Sequence, residues 1–337
     1  MNGAFEMLKG SRVLVTGGLG FIGSNLILKL VKMGAEITIL DAMLPQYGSN
    51  VKNIEKVKDK VNIVVGDVRD SAIVSECVKA KDYIFHFAAQ VDRTISLDDP
   101  IVDVEINLKG TLNVLEACRK QNSAAKVIYA GSRAQIGNPT NLPVNENHPT
   151  NPNDIYGVDK LAAEKCCFVY HRAYGIPVTS LRLGNVYGPH GQLKNTQYGV
   201  VNLFIRYALS NKPIPIWGDG QQTRDCVYVE DVADAFLLAA ASERSIGEVF
   251  MVGSGTEISL LDIAKIIIEA VTKLTGAKAT YIHKPFPEVL RKVDVQRFAI
   301  DFSKIQQYLG WLPRTDFATG VNKTVRFYKN NLHYYLE

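Results

Sequence analysis

Three residues have types and spacing that suit proton chemistry on an alcohol: Ser132, Tyr156 and Lys160. Tyr156 and Lys160 lie four apart in DIYGVDKLAAEKCCFVYHRAYGIPV, and on a helix that spacing puts both side chains on one face. A free tyrosine, with a pKa of about 10, is a poor base at neutral pH. A neighbouring ammonium favours the phenolate and lowers that value. Such a tyrosine can take the proton of a substrate hydroxyl, and Ser132 can hold the same oxygen. The pair alone is a common coincidence on helices. Its meaning depends on what positions it and on whether a hydride acceptor lies alongside.

The stretch Arg12 to Asp41 (RVLVTGGLGFIGSNLILKLVKMGAEITILD) supplies a site for such an acceptor. It reads as strand, glycine turn, amphipathic helix and second strand. Gly17 lets the chain turn sharply off the first strand. Gly20 lets backbone N–H groups approach a pyrophosphate at the helix N-terminus, and Gly23 lets the helix lie close on the sheet. Asp41 ends the second strand, where a carboxylate accepts from both hydroxyls of an adenosine ribose and repels a 2′-phosphate. No Arg or Lys follows before Lys52. This context selects a dinucleotide, and NAD over NADP. Oxidised nicotinamide would add its positive charge to that of Lys160 in stabilising the Tyr156 phenolate, and Lys160 would reach the nicotinamide ribose. The expected chemistry is reversible alcohol–ketone redox.

Strand–helix alternation continues through Val61–Val65, Ser71–Ala80, Tyr83–Phe87, a long helix from Ile101 to Lys120, Lys126–Ala130 and Val178–Leu183. Repeated units of this size predict an α/β fold with a Rossmann-type, doubly wound parallel sheet. Ligands in such sheets gather at strand carboxyl ends. Asp67 and Val68, and Ala88 and Ala89, lie at such ends, so Asp67 is expected to accept from the adenine amino group while the two alanines leave room for pyrophosphate and ribose. From Asn185 to Arg224 the chain becomes rich in Gly and Pro, as suits a substrate-gripping lobe. Val227–Glu230 and Glu248–Val252 read as strands returning to the sheet. The expected domains are 1–181 plus 227–253 for NAD, and 182–226 plus 254–337 as a smaller C-terminal α/β lobe.

Among 337 residues, 38 are basic and 34 acidic, a net charge of +4 too mild and scattered for nucleic acid. No run of about eighteen apolar residues exists, so no membrane span is expected. The five cysteines (Cys77, Cys118, Cys166, Cys167, Cys226) form no C-x-x-C, which argues against a disulfide framework or a metal site. The N-terminal MNGAFEMLKGSR lacks the apolar core of a signal peptide. A cytoplasmic location is expected.

TGGLGFIG, Asp41, HFAAQ, NLKGT, Ser132, YGVDK, LRLGNVYGP, WGDGQQTRDCVYVEDVADA and DFSKIQQYLGW together resemble the extended short-chain dehydrogenase/reductase family, in its sugar-nucleotide epimerase/dehydratase branch. The resemblance runs from about Arg12 to Tyr328. It implies a sugar linked to a nucleoside diphosphate as substrate. By motif position, Phe21, Ile22, Val68 and Gln90 go with the cofactor, and Asn107 with the nicotinamide pocket. Asn185, Arg224 and Arg291 go with the diphosphate, and Trp217 with the base. It also implies a homodimer, through a four-helix bundle built from Ile101–Lys120 and Leu161–Tyr174.

Three positions depart from the branch's usual pattern. The glycine of R-x-G-D is Val293, Ile155 precedes Tyr156, and R-A-Q-I-G follows Ser132. The 4,6-dehydratases of the branch need an Asp-Glu pair just after the catalytic Ser/Thr to expel water across C5 and C6. Arg133 and Ala134 supply neither, which disfavours dehydration. A 4-epimerase needs no such pair, because the 4-keto sugar turns in the site and takes the same hydride back on its other face. Arg133 itself is open between a substrate carboxylate, as in a uronic acid, and an ordinary salt bridge or cofactor contact. Phe298 falls near a position that shapes the sugar pocket. The leading expectation is 4-epimerisation. A 4-keto-sugar reductase, a related dehydratase, an epimerase at another carbon and a non-catalytic NAD-binding regulator are the alternatives.

Overall fold

The computed structural model describes residues 6–194, 199–286, 288 and 294–336. Arg291 and Val293 lie outside the described residues. Seven parallel strands form the main sheet: β1 (Arg12–Thr16), β2 (Glu36–Asp41), β3 (Val61–Val65), β4 (Tyr83–His86), β5 (Lys126–Ser132), β6 (Val178–Leu183) and β10 (Val249–Val252). Their spatial order is β10-β6-β5-β4-β1-β2-β3. The chain winds outward from β1 in both directions, so the switch point lies between β1 and β4, where open α/β sheets bind ligands. The central strands are continuous apolar runs because helices cover both faces. Val13, Val15, Ile39, Phe85, Ile128 and Leu181 are buried in one cluster; Leu14, Leu40, Ile84, Val127 and Tyr129 are buried in another.

Of the two strands expected to return to the main sheet, only the second does so. Beside β6, the sheet edge is taken by β10, with Val249 opposite Ser180. The earlier segment ends β9 (Thr223–Tyr228), and Glu230 is already helical. β9 pairs instead with β7 (Asn185–Tyr187) and β11 (Glu257–Ser259) in a separate three-stranded sheet. The physical reason is a branch at Gly184. Its backbone N–H still bonds Val252 O at 2.9 Å, but a Cβ there would lie 3.1 Å from Asp225 O, so β7 leaves the main sheet closely packed on β9. Asp225, fully buried, staples the junction by accepting from Ser254, Gly255 and Ile300 N–H groups. A two-stranded pair, β8 (Ile214–Trp217) with β12 (Tyr281–Lys284), completes the lobe.

The long helix expected over Ile101–Lys120 is interrupted. It consists of Pro100–Val104, a π-helical turn at Glu105–Lys109 and Gly110–Gln121. Wide turns of this kind shift the side-chain register and recur at functional sites.

Candidate active site

β1 ends at Thr16, and the chain reverses through Gly17 at φ +67°. A Cβ on Gly17 would lie 2.8 Å from Ala88 N, and one on Gly23 would lie 2.5 Å from Gly17 O. The helix Phe21–Met33 therefore starts in contact with the strand ends, its first N–H groups facing the cleft with no side-chain cap on Gly20. Phosphate oxygens suit that end. Asp41 stands at the end of β2. Its two carboxylate oxygens accept from Leu19 N and Met43 N, each at 2.9 Å. Those bonds fix the carboxylate at the cleft wall and leave lone pairs for further donors.

The cleft is lined by Gly17, Gly20, Phe21, Ile22, Gly23, Asp41, Asp67, Val68, Ala88 and Ala89, and at its far end by Ser132, Tyr156 and Lys160. Asp67 is not a free acceptor. Arg69 donates to it from Nε at 3.1 Å, from Nη2 at 2.8 Å and from its backbone N–H at 2.8 Å. Gln90 and Asn107 lie behind the lining, not in it. The Asn107 amide clasps the Gln90 backbone, Oδ1 accepting from Gln90 N at 3.0 Å and Nδ2 donating to Gln90 O at 2.9 Å. The Gln90 side chain donates to Asp103 and to Asp92 O. Both side chains are buried and their polar groups hold the cleft wall. The π-helical turn carries Asn107 to this place.

The three residues expected to carry the chemistry come together at the end of the cleft. Ser132 is the last residue of β5. The turn that follows is a capping box, in which Ser132 Oγ accepts from Ala134 N and Gln135 Oε1 accepts from Ser132 N. Tyr156 and Lys160 lie in the first turns of the helix Ile155–Tyr174, whose N-terminus is capped by Asp154 accepting from Gly157 N at 2.8 Å. Arg93 pairs with the same carboxylate. Gly157 has no room for a side chain, a Cβ there lying 2.6 Å from Ala134 O. The YG of YGVDK thus docks the tyrosine's helix on the turn that carries Ser132.

Tyr156 lines the cleft together with Ser132. Burial pushes its phenol up to about 12, against the lowering effects of Ser132 and Arg133. Lys160 is buried, its ammonium pushed down to about 8 by desolvation, and Nζ lies 4.3 Å from the centroid of the Tyr129 ring. The expected lowering of the phenol by Lys160 is thus absent in the protein alone, because desolvation of the phenolate outweighs it. Behind the pair, the Asp159 and Asp103 carboxyl groups are both buried in the interior. Burial, then Asp103, raises the Asp159 carboxyl to about 7.

A second cavity opens on the other side of Ser132 and Tyr156. Val91, Ser132, Tyr156, Gly184, Val186 and Gly199 line both. Arg93, Arg133, Asp154, Asn185, Leu203, Pro215, Trp217, Arg224, Leu260, Phe286 and Asp294 belong to the second. Trp217 ends β8 and stands 5.5 Å from Phe286, centroid to centroid, a wall suited to a flat base. Asn185 Oδ1 is buried and has no hydrogen-bond partner among the described residues. Arg224 is buried, donating to Thr223 O, Val295 O and Asp294, each at 2.8 Å. Arg93, Phe286 and Asp294 escaped the sequence reading. Phe286 had a local signal, an aromatic just after a short strand, and Asp294 is the acid of the R-x-G-D pattern; Arg93 acquires meaning only through a partner 61 residues away.

Residues 13–253 match the model of the NAD dependent epimerase/dehydratase family. The chain belongs to that family. It is 37% identical over 323 residues, 95% of this chain and 99% of the other, to a putative UDP-glucose 4-epimerase of Methanocaldococcus jannaschii. It is 30% identical over 331 residues, 95% and 98% of the two chains, to a dTDP-glucose 4,6-dehydratase of Actinoplanes. The crystal structure of a UDP-glucose 4-epimerase from Thermotoga maritima, with UDP-glucose, superposes with a TM-score of 0.86 at 30% identity, covering 95% and 99% of the two chains. NAD is the family's cofactor, and the glycine turn, the Asp41 carboxylate and the small residues 88 and 89 fit it. Among the described residues no helix is long and apolar enough to cross a membrane.

Proposed function

We propose that this protein is a nucleoside-diphosphate-sugar 4-epimerase that keeps its NAD through each turnover. The observation that carries the reading is the meeting of the two cavities at Ser132 and Tyr156. A cofactor in one and a sugar in the other would face each other across these residues. NAD, when bound, supplies the acceptor for a carbinol hydride, its later return and a positive charge beside Tyr156. That charge is what the buried phenol needs to ionise.

The Tyr156 phenolate takes the proton of the sugar's C4 hydroxyl, and Ser132 Oγ holds the same oxygen. Lys160, whose ammonium has no hydrogen-bond partner among the described residues and lies over the Tyr129 ring, orients the nicotinamide ribose. The 4-keto sugar turns, and Tyr156 returns the proton after reduction on the opposite face. Gly17, Gly20, Phe21, Ile22, Gly23, Asp41, Val68, Ala88 and Ala89 form the cofactor wall, with Asp67 held at its edge by Arg69. Asn185 and Arg224 face the diphosphate, and Trp217 with Phe286 the base.

Dehydration is disfavoured by the state of the carboxylates in the substrate wall. Asp92 caps a helix by accepting from Thr94 and Ile95 N–H groups, Asp154 is held by Arg93 and Asp294 by Arg224. None stands ready beside Ser132 as an acid or base, and Ala134 supplies none. The exposed apolar side chains of Ile101, Val158, Val169 and Tyr174 support a homodimer through the helices that carry them. Five free cysteines suit a reducing cytoplasm.

The test is turnover without added cofactor. Purified protein should release NAD on acid denaturation and interconvert the C4 epimers of a nucleotide sugar unaided. Tyr156→Phe should lower kcat by roughly 10²–10⁴-fold while leaving NAD content unchanged. Stoichiometric consumption of a reduced nicotinamide would make the enzyme a keto-sugar reductase instead.

A further inference from the structure

We propose that Arg133 binds a carboxylate on the sugar, so that the substrate is a nucleoside-diphosphate hexuronate rather than a neutral hexose. This rests on the epimerase reading above for the placement of the sugar. It begins with the charges in the substrate cavity. Arg93, Arg133 and Arg224 line it together with Asp154 and Asp294. The two carboxylates are already committed, Asp154 to Arg93 and Asp294 to Arg224. The Arg133 side chain makes no ion pair and no hydrogen bond among the described residues. The guanidinium lies over the ring of Phe298, 5.3 Å from Cζ to centroid.

A guanidinium in that position is costly. Burial, then repulsion from Arg224 and Arg93, lower its pKa. Arg133 is half-buried in the cavity wall, and no counter-charge pairs with it among the described residues, although a charge shielded from water gains from a partner. The stacking on Phe298, itself fully buried, holds the planar group in place without neutralising it. An anion that arrives with the ligand would complete the site, and the fork of the guanidinium fits a carboxylate with two parallel bonds.

Position separates the sugar from the diphosphate as the source of that anion. Arg133 directly follows Ser132 and acts electrostatically on Tyr156, so it lies at the reacting end of the cavity. The base wall of Trp217 and Phe286 marks the other end. With C4 held by Ser132 and Tyr156, the exocyclic C6 on the neighbouring ring carbon is the nearest place on a hexose for a carboxylate. A neutral C6 hydroxymethyl group would leave Arg133 desolvated and unpaired.

The test uses the NAD-loaded protein and equilibrium binding, which does not depend on turnover. UDP and dTDP are titrated first to select the base, then the matching glucose and glucuronate conjugates. The wild type should bind the glucuronate conjugate roughly 10- to 100-fold more tightly than the glucose conjugate. Arg133→Ala should erase that preference while leaving NAD content and affinity for the bare nucleoside diphosphate unchanged. Arg133→Gln, which keeps the contact over Phe298, makes the same comparison if the alanine variant does not fold. A wild type that binds both conjugates equally, or the neutral one better, overturns the proposal. So does an Arg133→Ala variant that loses affinity for bare UDP or dTDP as strongly as for the glucuronate conjugate, which would make Arg133 a diphosphate ligand. Failure to bind either nucleotide would sink this proposal and the epimerase reading together. A preserved glucuronate preference without 4-epimerisation would sink only the epimerase reading.

Discussion

The two cavities that meet at Ser132 and Tyr156 are built on opposite plans. The cofactor cleft is walled largely by backbone and by side chains whose polar groups are already satisfied. Asp41 is fixed by two N–H groups, Asp67 by Arg69, and the Gln90 backbone by Asn107. The second cavity, proposed to take the sugar, is walled by side chains from distant segments and keeps unfinished polar business: among the described residues Asn185 Oδ1 lacks a partner and Arg133 lacks a counter-charge. A wall that must accept one cofactor can be rigid and complete. A wall that must select one sugar keeps groups that only the correct ligand satisfies, because an unpaired buried polar group penalises the wrong one.

The contrast can be broken from either side. The largest effect is expected for Gly17→Ala, which adds a Cβ at positive φ and 2.8 Å from Ala88 backbone. Neither backbone can yield cheaply, so NAD affinity should fall by more than about 100-fold. Acid-released NAD per protomer is the readout, and affinity for a bare nucleoside diphosphate should be retained. Equal loss of both ligands would mean that the two cavities are not independent. Next comes Trp217→Ala, which should weaken nucleoside diphosphate binding roughly 10- to 100-fold through the lost stacking surface. Calorimetry reads that loss, and retained NAD should be unchanged. If Trp217→Ala binds the nucleotide as the wild type does, the base lies elsewhere.

The smallest effect concerns the seam behind both cavities. The Asp159 carboxyl, raised to about 7 in the folded protein, would titrate at about 4 in the unfolded chain. The folded protein therefore holds the extra proton between these values, and stability should fall as pH rises from about 4 to about 7. Asp159→Asn should flatten that slope, gaining on the order of 1 kcal/mol at pH 7. Thermal denaturation of both proteins at pH 5 and pH 7.5 measures it. A parallel shift of the two curves with pH would show that Asp159 does not hold the proton.

Much of the cofactor side was legible because its information is local. A glycine whose role is a sharp turn, and an acid at the next strand end, lie within one strand–helix–strand unit of the chain. The Tyr156–Lys160 spacing is local too, and Ser132 ends a strand marked by its apolar run. Misread features are those that depend on contacts between segments. The run 227–230 has strand-forming residues at its start, but its sheet was decided by the branch at Gly184. Asn107 sits in a motif, yet whether it lines the cleft or holds Gln90 was decided by one wide helical turn. The lowering of the Tyr156 phenol by Lys160 follows from charge alone, and burial reverses it.

By itself the sequence determined the dinucleotide fold, the preference for NAD, the three residues proposed to react and the absence of an acid–base pair after Ser132. These follow from residue type and spacing within short stretches, where backbone geometry leaves few alternatives. Only the tertiary structure decided that the two cavities share Ser132 and Tyr156, that Asp154 and Asp294 are consumed by Arg93 and Arg224, and that Arg133 is left without an ion-pair partner among the described residues. Pairing of buried charges is a three-dimensional allocation among residues far apart in the chain, and no local pattern can say which arginine is left over.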